Sequence, residues 1–213
     1  MSNFYSLLYP DLIYEQLVKL DYPAIRQVCS TNKEVLQICQ HDSLITKLIN
    51  SKRIQYKTNY LIQQSEHEST HPIIKASAIG DAEIVDELIK RGFDPFVLRN
   101  YAIGLASENG HIKVVERLLQ DERVNPADNR NEAIELASKN GHIEVVERLL
   151  QDERVNPADN NNAAIRLASE EGHVKVVERL LQDKRVNPAA NNNVAIRLAS
   201  ANVRREPYGD MQK

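Results

Sequence analysis

The chain has few of the residues on which several specialised protein classes depend. Tryptophan is absent, aromatic residues make up 5%, and the 213 residues include two cysteines. Two cysteines are too few for a disulfide framework or a zinc ribbon, so we expect a reducing intracellular setting. The scarcity of aromatic side chains also disfavours a surface on which the bases of single-stranded nucleic acid would stack.

The chain also lacks a large excess of one charge and a long apolar run. The chain carries 27 basic and 30 acidic side chains, a net charge of −3, whereas a sequence-independent nucleic-acid binder needs a positive field. No apolar run approaches the about 18 residues that indicate a membrane span. Asp11 and Glu15 make the first residues unlike a signal peptide. We therefore expect neither a nucleic-acid partner nor a membrane association.

What the chain does have is an internal repeat with a step of 31 residues. A looser copy covers residues 73–95, and a fifth copy begins at Ala195. The fifth copy is a half repeat, because Pro207 falls inside its expected second helix, where proline interrupts the hydrogen-bond ladder. The three nearly identical blocks are 111–141, 142–172 and 173–203.

Each repeat predicts two short helices and a loop. Ile134 and Ala137 lie on one side of a first helix. Ile143, Val146, Leu149 and Leu150 recur at spacings of three and four, which places them in one apolar stripe on the second helix. One pair of helices cannot bury such a stripe alone, whereas stacked neighbours can, so the repeat predicts a solenoid.

Recurring residues mark the ends of these helices. Asn131 precedes the first helix and is predicted to be its N-cap, because an asparagine side chain accepts from free backbone N–H groups. Gly141 follows the same helix, where a left-handed residue is least costly. His142 then opens the second helix. Their equivalents are Asn100, Asn162, Asn193, Gly110, Gly172, His111 and His173.

The repeated histidines allow a metal interpretation and a packing interpretation. Metal ligands must converge on one centre at ~2 Å, whereas these histidines occur once per repeat, which favours packing. The repeated acidic residues predict a solvated face, because a catalytic pair needs two unlike environments. The sequence contains no nucleophile–base pair, phosphate loop or ligand cluster, so we expect a protein that is not an enzyme and has no metal or cofactor.

The junction L-A-x-x-x-G-H at 136–142, followed by V-V-x-x-L-L at 145–150, resembles the ankyrin repeat family over residues 72–203. The resemblance implies an all-α solenoid at 71–203, with four repeats and a terminal half repeat, followed by a tail at 204–213. The repeat step is two residues shorter than the family's usual ~33. Since the missing residues fall in the hairpin loop, we expect the projecting β-finger to be short or irregular.

The ankyrin resemblance implies that the first helices and the turns before them bind a target protein. The residues there that differ between repeats are the candidates for target contacts. They are Arg99, Tyr101, Gly104, Arg130, Glu132, Glu135, Ala163, Arg166, Val194 and Arg197.

Residues 1–50 do not repeat and predict three short helices, with Cys29 and Cys39 as small buried hydrophobic residues. The patterns L-Y-P-D-L-I at 8–13, V-C-S-T-N-K at 28–33 and D-S-L-I at 42–45 resemble an F-box without its closing tryptophan. An F-box implies docking to the Skp-family linker of a cullin–RING ubiquitin ligase. Residues 51–70 are expected to form a connecting helix and linker. The implied linker contacts are Leu8, Pro10, Leu12, Ile13, Leu17, Leu20, Ile25 and Val28.

Two interpretations of the function follow. In the first, the protein is an adaptor that brings a target to the ubiquitin ligase. In the second, it is a structural or scaffold protein with no ubiquitin link, and residues 1–50 only cap the solenoid. An F-box before short, Asn-rich ankyrin repeats resembles proteins of large DNA viruses, which implies a cytoplasmic setting, that of the host cell if the protein is viral.

Overall fold

The computed structural model describes residues 17–31, 33–63 and 71–187, together with Tyr14, Ala189 and Arg197. Every regular element in this part of the chain is a helix. The chain divides into an N-terminal unit, Met1–Gln64, and a C-terminal unit, Ser65–Lys213.

The N-terminal unit contains the helices α1 (Tyr22–Thr31), α2 (Lys33–His41) and α3 (Ser43–Gln63). Aspartates precede two of them. The Asp21 carboxylate accepts from the Ala24 N–H at 3.0 Å, and the Asp42 carboxylate accepts from two N–H groups at the start of α3. The three helices enclose a small core that consists of Leu17, Ile25, Cys29, Val35, Cys39 and Ile45.

Cys29 and Cys39 form a disulfide, with their Cα atoms 6.1 Å apart. The predicted burial is confirmed, since they are 8% and 6% exposed, but the prediction that they are separate small hydrophobic residues is wrong. Both side chains point into the same small core, so the fold brings together two sulfur atoms that the sequence separates by ten residues. A count of cysteines cannot reveal this, and the bond removes the argument for a reducing setting.

Helix α3 continues through the boundary expected at residue 50. The polar composition of residues 51–63 suggests a connecting segment, but Thr58 and Leu61 are buried, three residues apart on one side of the helix. The second half of α3 therefore belongs to the N-terminal unit.

Residues 71–187, the main described part of the C-terminal unit, form four helix pairs, which we number as repeats 1 to 4. Successive first helices contact one another, and so do successive second helices. These contacts confirm the predicted all-α solenoid. The pairs are α4 (Pro72–Ile79) with α5 (Ala82–Lys90), α6 (Val97–Glu108) with α7 (Ile112–Leu119), α8 (Asp128–Lys139) with α9 (Ile143–Leu150), and α10 (Asp159–Glu170) with α11 (Val174–Leu181).

The repeats bury the apolar residues that the sequence predicts. In repeat 3, Ile134, Ala137, Val146 and Leu149 have no exposed surface. Ile143 and Leu150, which were predicted for the same stripe, are only partly buried. Burial of this kind contributes about 25 cal/mol per Å² of apolar area, and each repeat obtains it from its neighbours.

Glycine and histidine join each repeat to the one before it. Gly141 has a φ of 75°, which confirms the predicted left-handed helix end. The ring of His173 lies directly over this glycine, and its Nε2 hydrogen-bonds the Lys139 carbonyl oxygen at 2.8 Å. His142 makes the same contact with the Glu108 carbonyl oxygen at 2.9 Å. These histidines therefore have a packing role between repeats.

The predicted N-cap role is wrong for Asn100, Asn131 and Asn162, whereas Asn193 lies outside the described residues. Asn131 and the two residues before it all have left-handed backbone angles, as do the equivalent residues 98–100 and 160–162. The Asn131 side chain accepts from the Asn156 N–H at 2.8 Å and donates to the Asp159 carboxylate at 3.0 Å, so it bridges to the next repeat. Asparagine adopts left-handed angles more readily than most residues, which explains its presence here.

We predict that Gly141→Ala destabilises the C-terminal unit more than Gly92→Ala. Both glycines have positive φ, at 75° and 88°, so each alanine costs about 1–2 kcal/mol in backbone energy. A Cβ at Gly141 would lie 2.6 Å from the ring of His173, whereas a Cβ at Gly92 would meet nothing within 4 Å. Urea unfolding measures both losses, and equal losses would contradict the proposed role of the ring contact.

A second prediction concerns the buried Ser138, whose hydroxyl has no hydrogen-bond partner. Ser138→Ala removes an unsatisfied polar group and is expected to raise the free energy of unfolding by about 1 kcal/mol. The matched control is Ala137→Ser, which adds a hydroxyl at a fully buried neighbouring position and is expected to have the opposite effect. Thermal and urea unfolding measure the change in stability for both variants. Destabilisation by Ser138→Ala would show that the hydroxyl has a hydrogen-bond partner.

Candidate protein-binding face

The first helices α6, α8 and α10 lie side by side, and the first residues of each form a left-handed turn. We call the exposed side chains of these helices and turns the first-helix face. The turns are held from repeat to repeat: Asn100 donates to the Asp128 carboxylate at 2.7 Å and accepts from the Asn125 N–H at 3.2 Å. Their exposed side chains therefore project from a fixed backbone.

Most of the predicted target-contact residues have accessible side chains. Tyr101 is 41% exposed at the start of the regular part of α6. Arg99 and Arg130 are exposed in the left-handed turns. The others with accessible side chains are Arg197, which is exposed, and Glu132, Glu135 and Arg166, which are half-buried.

Two of the predicted contacts do not belong to the exposed face. Ala163 is 1% exposed, because its short side chain does not reach beyond its neighbours, unlike Glu132 at the equivalent position. Gly104 is buried, and a Cβ placed there would lie 4.0 Å from the Leu136 side chain. Val194 lies outside the described residues.

One cleft brings together three of the predicted residues. Arg99, Gly104 and Glu132 line it, with Ile103 and Ala133 at its base. The equivalent of Gly104 in the next repeat is Glu135, so the cleft exists where glycine replaces a longer side chain. It lies between α6 and α8, at the centre of the first-helix face.

The carboxylate of Glu135 has few hydrogen bonds to stabilise its negative charge. One oxygen accepts from the Asn160 amide at 3.4 Å, and the other is buried without a hydrogen-bond partner. Burial raises the pKa of Glu135 above its ordinary value, although the nearby Arg166 opposes the change. This group is therefore the part of the face most responsive to a neutralising contact.

Exposed apolar residues on the same side were missed by the sequence analysis. Phe96, which precedes the first left-handed turn, is 41% exposed, and Leu98, which lies in it, is 43% exposed. Ile79 is 62% exposed at the end of α4. Repeats 3 and 4 carry alanine and asparagine at the positions of Phe96 and Leu98. Comparison of aligned repeats, with attention to apolar residues in turns, would have found this difference. Within the first-helix face, exposed apolar side chains therefore lie in repeat 2, and alanine and asparagine take their places in repeats 3 and 4.

The predicted linker contacts occupy different environments in the N-terminal unit. Leu17 and Ile25 are buried in its core, at 1% and 0% exposure, and cannot reach a partner without rearrangement. Leu20 is half-buried and Val28 is 38% exposed. The remaining four, Leu8, Pro10, Leu12 and Ile13, lie outside the described residues.

Two other kinds of site are absent from the described residues. None of their helices is both long enough and apolar enough to span a bilayer. They contain no group of three or more histidine, cysteine, aspartate or glutamate side chains that could hold a metal ion.

Comparison with known proteins agrees with this geometry. A search of curated proteins returned no match. A family profile described as ankyrin repeats in three copies matches residues 73–159 and, in an overlapping alignment, residues 103–194. These matches cover more than half of the chain and the four helix pairs. The chain therefore belongs to the ankyrin repeat family, whose repeats bind protein partners.

Proposed function

We propose that the protein is a non-enzymatic adaptor that holds a target protein on its first-helix face and docks a Skp-family linker of a cullin–RING ubiquitin ligase through its N-terminal unit. The observation that carries the target half is the distribution of differences between repeats. Ile103, Ile134 and Ile165 are buried at one equivalent position, whereas residues exposed on the first-helix face change in size and charge. Stacking explains the constant positions, and recognition explains the variable ones.

The chemistry of the face supports a protein partner. Aromatic and arginine side chains supply much of the binding energy in protein interfaces, and Tyr101, Arg99 and Arg130 are exposed here. Phe96 and Leu98 add apolar surface at one end. A fitting target places apolar side chains on repeat 2 and a polar, charged segment on repeats 3 and 4.

The ligase half rests on the F-box resemblance of residues 8–13, 28–33 and 42–45. It is compatible with a helical N-terminal unit that leaves Val28 exposed. The proposed setting is the cytoplasm, that of the host cell if the protein is viral. The alternative is a scaffold with no ubiquitin link, favoured by the burial of Leu17 and Ile25 in the core.

The target half predicts that Tyr101→Ala weakens target binding by roughly tenfold, because truncation of an interface tyrosine costs about 1–2 kcal/mol. Targets are first identified by cross-linking and mass spectrometry, and Kd is then measured with the purified target. The matched control is Lys113→Ala, an exposed position on the second helix α7. Equal affinity of wild type and Tyr101→Ala would place the target elsewhere on the protein.

The ligase half predicts that the double variant Leu12→Asp, Ile13→Asp loses capture of a purified Skp-family linker, because charges replace apolar contact groups. The control is Gln40→Asp, an exposed position in the same unit. Circular dichroism shows whether the double variant keeps its helices. Absence of capture by the wild type, or capture that the double variant retains, would reject the ligase half and leave the scaffold.

A further inference from the structure

The N-terminal unit carries a small excess of positive charge, although the chain as a whole is acidic. Over Met1–Gln64 the sequence has seven basic and five acidic side chains. The described residues 17–31 and 33–63 contain all seven basic side chains and three of the acidic ones. Residues 71–187, in contrast, contain 16 basic and 21 acidic side chains.

Helix α3 is the source of most of this charge. It carries Lys47, Lys52, Arg53 and Lys57, and no aspartate or glutamate. The nearby Asp42 caps the helix through two backbone N–H groups, so its carboxylate is already engaged. Helix α3 therefore presents cations that its own sequence does not neutralise.

A groove lies between the start of α1 and the middle of α3. On one side are residues 19–22, and on the other are Lys52, Gln55, Tyr56 and Asn59, which are spaced three and four residues apart along α3. The rings of Tyr22 and Tyr56 lie with their centroids 6.0 Å apart. We call this feature the α1–α3 groove.

Positive charge and aromatic surface lie together in the groove. Its described lining contains two lysines, Lys19 and Lys52, and one aspartate, Asp21, which also caps α1 through the Ala24 N–H. Neither lysine forms an ion pair with a residue that the structure describes. Tyr56 is 46% exposed and offers an apolar ring face beside the ammonium groups. This combination is complementary to a carboxylate next to an apolar side chain.

We propose that the α1–α3 groove binds a short acidic segment of a partner protein. Carboxylates of the segment pair with Lys19 and Lys52, and a neighbouring aliphatic side chain covers the Tyr56 ring. The proposal is independent of the target half. Of the predicted ligase-linker contacts that the structure describes, Leu20 alone lines the groove.

The test uses the full-length protein and a fluorescein-labelled peptide of about twelve residues built from Asp-Glu-Leu repeats. Fluorescence anisotropy is expected to show binding that weakens with added salt. The double variant Lys19→Glu, Lys52→Glu is expected to weaken binding by roughly tenfold or more, because like charges then face each other. Tyr56→Ala is expected to weaken binding without changing its salt dependence.

The matched control is Lys113→Glu, Lys175→Glu, which reverses two exposed lysines of the C-terminal unit. Circular dichroism confirms that each variant remains helical. Absence of peptide binding, or equal losses in the control and groove variants, would overturn the proposal. It would also be overturned if an oligouridylate RNA binds more tightly through the same lysines, or if sedimentation shows that these lysines hold a second copy of the chain.

Discussion

No helix pair in the C-terminal unit buries its own apolar stripe, and the neighbouring pair supplies the missing surface. The contact between repeats is therefore the interaction on which this part of the fold depends. It combines apolar burial, a histidine ring placed over a left-handed glycine, and an asparagine that bridges two successive turns. Since each contact recurs, the stability of the unit is approximately a sum over similar interfaces.

Charged groups reinforce the same interfaces. Arg154 forms an ion pair with Asp152 and also donates to the Val124 carbonyl oxygen of the preceding repeat at 3.0 Å. The hydrogen bond from Arg154 lowers the pKa of the Asp152 carboxyl. The guanidinium is thereby oriented by its own repeat and donates to the preceding one. Arg185 repeats this arrangement with the Val155 carbonyl oxygen.

The sequence predicts features that depend on periodicity and misses features that depend on the neighbours of a residue. Gly141 and His142 follow from position within the repeat, and both were predicted correctly in place. Asn131 was misassigned because residues that cap helices are also those that tolerate left-handed angles, so one composition allows two geometries. The burial of Ala163 and the bond between Cys29 and Cys39 depend on side-chain surroundings, which a pattern does not contain.

The left-handed turns limit how a partner can be recognised. At 98–100, 129–131 and 160–162 the backbone coils where an extended finger would otherwise project. Addition of a strand by a partner requires a row of extended residues with free N–H and C=O groups. These turns do not offer such a row. At this edge of the solenoid, a partner chain is therefore recognised through the shape and charge of side chains.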